Sequence, residues 1–304
     1  MTFLLFLLGL ALLLAGGELL VRGASSIARA FRLSPLVIGL TIVGFGTSSP
    51  ELIVALRAAL GGQPGIAIGS ALGSNISNIL LILGISALIA PLVIPARKLW
   101  RDLGFMLLAT AVIWAMLIGG QVGRLEGLLL LLGLAVFLAA AFLTGRTKPQ
   151  AVQEEPLGPA WRPWAIVGAG LALLVVGAQL MVENATTLAR SFGISEAVIG
   201  LTIVAVGTSL PELATSLVAA FRRQTEIAVG NIVGSNIFNI FGILGLTALV
   251  TPIPAEPRFA SIDMWWVSGS AIGLAAVAVL MGGLPRKAGL GLLAAYGVYL
   301  VFMA

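Results

Sequence analysis

Apolar residues run along this chain in long, nearly unbroken stretches separated by short polar turns. Ten such stretches cover residues 3–21, 34–56, 66–90, 103–120, 125–144, 164–184, 195–220, 227–250, 264–282 and 288–303. Each holds roughly 20 residues, the length a helix needs to cross the hydrocarbon core of a bilayer. The pattern therefore predicts an all-α integral membrane protein with ten transmembrane helices. Two stretches are broken near their middle by almost the same polar block, Gly46-Thr47-Ser48-Ser49-Pro50-Glu51 and Gly207-Thr208-Ser209-Leu210-Pro211-Glu212. A carboxylate at mid-depth costs at least ~2.5–3.5 kcal/mol, so each block is a candidate functional site.

The blocks belong to a longer repeat. With Glu51 set on Glu212 the offset is 161 residues, and it holds without a gap across two spans. Ile38–Glu51 matches Ile199–Glu212 at 11 of 14 positions, and Ile66–Gly84 matches Ile227–Gly245 at 12 of 19. The register extends back to Gly16/Gly177 and Arg29/Arg190. Five spans per copy is an odd number, so the second copy enters the membrane the other way up. The expected organisation is two inverted five-helix repeats, 1–144 and 163–304, whose interrupted helices meet at mid-membrane. A cytoplasmic linker, 145–162, joins them. The most strongly repeated segments are about 34–90 and 195–251. Inverted repeats with broken helices are the sequence mark of a secondary transporter.

Composition and charge narrow this further. Of 304 residues 59% are hydrophobic and 10% charged, with a mean hydropathy of +1.11. A soluble domain carries about 25% charged residues. The pI near 10.4 could point to nucleic acid, but the positions of the charges answer that. Thirteen Lys and Arg fall on one side of the predicted spans and four (Arg57, Arg124, Arg190, Arg258) on the other. This is the positive-inside bias, placing both termini outside the plasma (inner) membrane, and the basicity needs no nucleic acid. Met1–Leu14 has no basic start and no small-residue cleavage site, so it reads as the beginning of a first span. Glu18 and Arg22 are spaced to pair at its end. The fourth and fifth spans hold no intramembrane charge and read as scaffold. Cys and His are absent, which removes disulfides, thiol chemistry, His-held metals and any Ser–His dyad.

The chemistry lies in the repeated blocks. On a helix Thr47, Ser48 and Glu51 share a face, as do Thr208, Ser209 and Glu212. Pro50 and Pro211 lack an N–H, which frees the carbonyls of Gly46 and Gly207 and loosens those of Thr47 and Thr208. In hydrocarbon a freed carbonyl must find another partner, and a cation is one. Ser74 and Asn78 stand one turn apart on the next span, and Ser235 and Asn239 repeat them. The donors are carboxylates, hydroxyls, amides and carbonyls, all hard oxygens. They suit Ca²⁺ and Na⁺ and disfavour Zn²⁺, Cu⁺ and Fe²⁺.

These blocks, together with Gly73-Ser74-Asn75-Ile76 and Gly234-Ser235-Asn236-Ile237, resemble the two α-repeats of the cation/Ca²⁺ antiporter superfamily, above all its prokaryotic Na⁺/Ca²⁺ exchangers. The resemblance covers nearly the whole chain. It implies alternating access around four central sites, with Ca²⁺ held by Glu51, Glu212 and the carbonyls of Thr47 and Thr208. It also implies Na⁺ held by Ser48, Ser209, Ser74, Ser235 and Asn78 and by the carbonyls of Gly44 and Ala205. The first helix of each repeat, residues 3–30 and 164–190, is then expected to slide as a gate. One corner departs from the family pattern. Where archaeal members can have an aspartate, Asn239 stands here, leaving two formal negative charges at the centre.

The expected partners are Ca²⁺, Na⁺ and the lipid bilayer. The chain is expected to be a transporter and no enzyme, to need no cofactor and to be able to work as a monomer. The nearest alternative is a Ca²⁺/H⁺ antiporter of the same superfamily, whose members tend to lack the Thr-Ser pair beside the glutamate. A cation channel would build its carboxylates as a ring around a symmetry axis. A serine hydrolase would lack its histidine.

Overall fold

The computed structural model describes residues 1–93, 96–145, 159, 161–193 and 205–303. Most of the linker 145–162 and the start of the seventh predicted span lie outside these residues. The described chain is helical apart from four two-residue strands. The first half contains α1 (Thr2–Ala30), α2 (Pro35–Thr47), α3 (Ser49–Leu60), α4 (Pro64–Ile89), α5 (Ala96–Ile118) and α6 (Arg124–Thr144). The second contains α7 (Arg162–Ser191), α8 (Ala205–Gly207), α9 (Leu210–Phe221), α10 (Thr225–Val250), α11 (Phe259–Met281) and α12 (Arg286–Met303). Seven of these are long and apolar enough to cross a membrane, and α2 with α3 makes an eighth if that bent pair counts as one span. The chain is a multi-pass membrane protein.

Local sequence explains the element ends. The Ser34 hydroxyl accepts from the Val37 N–H at 3.3 Å and Pro35 occupies the first turn, so α2 starts there. Gly61 and Gly62 end α3, the latter at φ +75°, and Pro64 opens α4. Four helices contain a wider π-helical turn: Gly39–Val43 in α2, Asn78–Leu83 in α4, Phe238–Leu244 in α10 and Phe259–Asp263 in α11. Such turns concentrate at functional sites because they displace backbone groups from the regular ladder.

The centre of the molecule is formed by α4 and α10. Their most apolar windows are 72% and 89% buried, against 22% for α6 and 28% for α7. The two central helices also carry buried serines and asparagines, so polarity faces inward and the outer helices present their apolar sides.

Around this pair, α1 and α7 cross closely enough that side chains are excluded at the contact. A Cβ on Gly9 would stand 2.8 Å from the Gly177 carbonyl, and one on Gly16 2.8 Å from the Gly170 carbonyl. Gly170 and Gly177 meet α1 in the same way. Shifting by 161 residues turns the Gly9–Gly177 contact into the Gly16–Gly170 contact. The same exchange links Gly84–Gly289, where α4 meets α12, to Gly127–Gly245, where α6 meets α10, within one residue. It also links the two small ladders. Leu92–Val93 (β1) pairs antiparallel with Gly283–Leu284 (β4), and Gln121–Val122 (β2) with Ile253–Pro254 (β3).

Two charges sit differently from the sequence reading. Asp102, expected just outside a charge-free fourth span, lies inside α5 and is fully buried, paired at 2.5 Å with Arg101, which also donates to the Ala140 carbonyl. The helix begins at Ala96, about two turns before the apolar run, and Arg101 supplies Asp102 with a counter-charge and the helix with a contact to α6. Glu18 does pair with Arg22, and also with Arg222 at the end of α9.

The α1–α7 crossing gives a direct test. Gly16→Val places new atoms against backbone that cannot yield, so it should cost ~1–3 kcal/mol and lower the thermal midpoint of the detergent-purified protein. Gly168→Ala on the same pair of helices has nothing within 4 Å of the added Cβ. It should melt with the unsubstituted protein or slightly above it.

Candidate cation site

Both motif helices break at the serine of their block. Ser48 has φ −86° and ψ 7°, Ser209 φ −91° and ψ 7°, and the segments either side of Ser48 are bent by 44°. Pro50 and Pro211 then occupy the first turns of α3 and α9, where a missing N–H costs nothing. This puts Glu51 and Glu212 in the first turn of a helix as well. There the positive end of the helix dipole favours a carboxylate. Each glutamate is 1% exposed. The Ser48 hydroxyl donates across the repeats to Glu212 Oε1 at 2.8 Å.

The asparagines of α4 and α10 form the opposite wall. Asn75 Nδ2 donates to the Asn236 carbonyl at 3.1 Å, and Asn236 Nδ2 to the Asn75 carbonyl at 3.3 Å. Asn78 Nδ2 donates to Asn236 Oδ1 and Asn239 Nδ2 to Asn75 Oδ1, both at 3.0 Å. Each amide nitrogen thereby commits one N–H across the helix pair, which sets the way each side chain faces. Four acceptors of the repeated motifs are left unmet. Glu51 Oε2, Glu212 Oε2, Asn78 Oδ1 and Asn239 Oδ1 are buried without a hydrogen-bond partner. They form two pairs related by the 161-residue offset. Buried acceptors with no donor cost free energy unless a cation or a proton meets them.

The remaining predicted residues fall around this centre. Thr47 is buried, and its hydroxyl donates to Asn231 Oδ1 at 3.1 Å. Ser235 donates to the Gly44 carbonyl at 3.2 Å, so that carbonyl is engaged. Ser74 is buried, and its carbonyl accepts from Ser77, whose hydroxyl lies 3.5 Å from that of Ser209. Thr208 is half-buried in the turn between α8 and α9, and Ala205 opens α8. Among the described residues no three Asp, Glu, His or Cys side chains cluster as metal ligands. A cation here would have to draw on two carboxylates and neutral oxygens together.

Sequence reasoning missed three participants. Asn75 and Asn236 lie inside the repeated blocks and recur at the same offset as the glutamates, so the repeat itself carried the signal. Asn231 did not recur, because Ser70 holds its place in the first half. Yet Asn231 joins three parts of the site: it accepts from Thr47 and donates to Ser216 Oγ at 2.9 Å and to the Glu212 carbonyl at 3.3 Å.

Comparison with known proteins bears on the family and the fold. The family profile described as "Sodium/calcium exchanger protein" matches residues 1–143 and 162–304. The chain is 44% identical over 269 residues to the inner membrane protein YrbG of Escherichia coli K12, covering 85% of this chain and 83% of that one. It is 33% identical to the sodium/calcium exchanger MaX1 of Methanosarcina acetivorans over 83% of this chain and 84% of that one. A solved structure of the sodium-calcium exchanger NCX_Mj, soaked with zero Na⁺ and Ca²⁺, superposes with a TM-score of 0.86 at 35% identity. It covers 100% of this chain and 99% of that chain.

The asymmetric role of Asn231 yields a prediction. Asn231→Ala leaves Thr47, Ser216 and the Glu212 carbonyl without their shared partner, at a cost of ~1–3 kcal/mol. Ca²⁺ uptake by reconstituted protein should fall about tenfold or more. Ser70→Ala, at the matching position of the first half, should leave uptake within about twofold, since single surface-type changes stay near ±0.5 kcal/mol.

Proposed function

The chain belongs to the sodium/calcium exchanger family, and we propose that it is a secondary antiporter that exchanges Ca²⁺ for Na⁺ by alternating access. The observation that carries this reading is the acceptor-only centre: Glu51 Oε2, Glu212 Oε2, Asn78 Oδ1 and Asn239 Oδ1, all buried and all without a donor. The two carboxylates bring about two negative charges, which one Ca²⁺ or two Na⁺ would balance. Ca²⁺ accepts 6–8 oxygens in flexible geometry. In the proposed site Thr47, Thr208, Ser48, Ser209, Ser74, Ser235 and the Gly44 and Ala205 carbonyls complete the shells. The substrate ions are the only ions needed, no cofactor takes part, and the chain is no enzyme.

The architecture we propose is ten transmembrane helices in two inverted five-helix repeats, 1–144 and 163–304, with a cytoplasmic linker at 145–162. The glycine contacts and strand ladders that exchange under the 161-residue shift support it. Thirteen basic residues against four support termini outside an inner (plasma) membrane. In this reading α1 and α7 slide as one unit over the paired motif helices and open the centre to one side at a time. Their glycine-to-glycine crossing brings the two helices into backbone contact, which holds them together as one moving body. The Ser48–Glu212 bond supports sodium as the coupling ion. Ser48 reaches Glu212 Oε1, where a bound Na⁺ would compete for the same oxygens.

The reading is tested in liposomes. An outward Na⁺ gradient should drive Ca²⁺ entry at constant pH, whereas uptake that follows a proton gradient and ignores Na⁺ would make the protein a Ca²⁺/H⁺ antiporter. Glu51→Gln and Glu212→Gln should each lower apparent Ca²⁺ affinity roughly a hundredfold or more, because removing one of two desolvated charges costs ~3 kcal/mol or more. Both variants should still insert and elute as the unsubstituted protein does. Near-normal uptake by either would remove that glutamate from the site.

The charge moved per cycle is a separate matter. If three Na⁺ replace one Ca²⁺, one net charge crosses, and membrane potential acts on the cycle by ~2.3 kcal/mol per 100 mV. Clamping the vesicle potential with K⁺ and valinomycin should then shift the Na⁺ gradient at which net Ca²⁺ flux vanishes. An unmoved reversal point would mean two Na⁺ per Ca²⁺.

A further inference from the structure

Two arginines of this chain occupy backbone positions that suit glycine. Arg32 has φ +54° and Arg223 φ +56°. Each ends a helix in the same way, with the next residue's N–H reaching back five residues: Leu33 to the Ala28 carbonyl at 2.9 Å, and Gln224 to the Ala219 carbonyl at 2.8 Å. The 161-residue offset maps Arg32 onto Gly193 and Arg223 onto Gly62, both glycines at φ +76° and +75°. So the same turn occurs four times, with glycine twice and arginine twice. Both arginines fall on the basic side of the molecule. Left-handed backbone is strained for any residue with a Cβ, and such outliers accompany function more often than they arise by chance.

The side chain of Arg223 makes no ion pair and no hydrogen bond among the described residues. Its neighbour Arg222 already pairs with Glu18, and Arg32 has interactions of its own. A charge meant only to orient the chain in the membrane could stand anywhere in this turn. The position of Arg223 is explained by where its side chain ends. It lines a cavity of about 480 Å³ together with Arg286, Thr225, Phe221, Pro91 and Ile89, and no acidic residue lines it. Arg286 is held in place there, donating from Nε to the Leu88 carbonyl at 3.0 Å and from Nη2 to that of Ile89 at 3.4 Å. The cavity thus brings two cations together with a threonine and an apolar floor. Phe221 beside it is 69% exposed, on a helix end of a membrane protein.

We propose that this cavity is a binding site for the headgroup of an anionic phospholipid. The phosphodiester would lie between Arg223 and Arg286, and Phe221 would lie along the acyl chains. Guanidinium groups recognise phosphate by paired charge-assisted hydrogen bonds, and basic pockets between helix ends are where such headgroups bind. Only the choice of leaflet rests on the orientation proposed above.

The test is retained lipid, read by native mass spectrometry of protein purified from mixed phosphatidylcholine and phosphatidylglycerol. The unsubstituted protein should keep phosphatidylglycerol in preference to phosphatidylcholine. Arg223→Gly should weaken that retention about tenfold or more, Arg286→Gln should weaken it similarly, and Arg223→Lys, which keeps the charge and loses the paired bonds, should fall between Arg223→Gly and the unsubstituted protein. Arg32→Gly, which relaxes the equivalent strained turn away from the cavity, should retain lipid normally. Arg223→Gly relieves backbone strain, so it should melt no lower than the unsubstituted protein, and Arg286→Gln tests the cavity without altering the turn. Equal retention by Arg223→Gly and Arg286→Gln would overturn the site. Protection against unfolding by inorganic phosphate as strong as that by phosphatidylglycerol would overturn the lipid assignment in favour of a free anion. Retention is measured without transport, so its failure would leave the exchange reading standing, and a failure of exchange would leave the lipid site standing.

Discussion

Two carboxylates at the centre of an apolar bundle have to be answered by something other than water, and most of this structure follows from that. Glu51 and Glu212 are each 1% exposed, where an isolated charge would be too costly to keep. The chain meets the need locally by breaking both motif helices one turn before the glutamates, so that each sits at a helix start. It meets it across the repeats by the hydrogen bond from Ser48 to Glu212. Among the described residues no lysine or arginine is buried. In the function proposed here neutralisation is left to ions that come and go, which is a requirement for a carrier and a defect in a static fold.

The asparagine wall serves the same end by a different route. Four cross-repeat amide bonds hold α4 against α10 and engage the amide nitrogen of each of the four asparagines. With leucines in place of these asparagines the two helices could pack equally well, but no oxygen would face the carboxylates. The two halves are not identical around this wall. Ser48 reaches the opposite glutamate, while Ser209 lies against Ser77, and Thr47 is buried where Thr208 is half-buried. Two copies of one motif in unlike surroundings are what a molecule with one side closed and the other loosened would display. The lipid site proposed at Arg223 lies at the end of α9, the helix that carries Glu212, so a headgroup bound there would touch an element of the ion site.

Much of this was legible in the sequence because the costly residues were repeated. The length of the apolar runs gave the helices, Pro50 and Pro211 gave the breaks, and the 161-residue offset tied Glu51 to Glu212 and Asn78 to Asn239. Other features left no such trace. The π-helical turns at Asn78 and Phe238 have no signature in the apolar pattern of the chain. The Ser48–Glu212 bond could not be read from periodicity, since periodicity stops where the helix breaks. Asn231 acts through contacts with three separate segments and is unrepeated. Asp102 was set outside a span because a charge ends an apolar run in sequence, whereas in space Arg101 supplies it with a counter-charge inside the helix. The strained turn at Arg223 was invisible for the opposite reason: arginine does not announce a left-handed backbone, and only its glycine counterpart at residue 62 does.

The central claim is that the four partnerless oxygens form one site for which Ca²⁺ and Na⁺ compete. It is tested most directly by calorimetric titration of the purified protein with Ca²⁺, in choline and then in rising Na⁺. The account predicts one Ca²⁺ per chain, with an apparent affinity that falls steeply as Na⁺ rises and is unmoved by choline at the same ionic strength. Ca²⁺ binding that is indifferent to Na⁺ would contradict it.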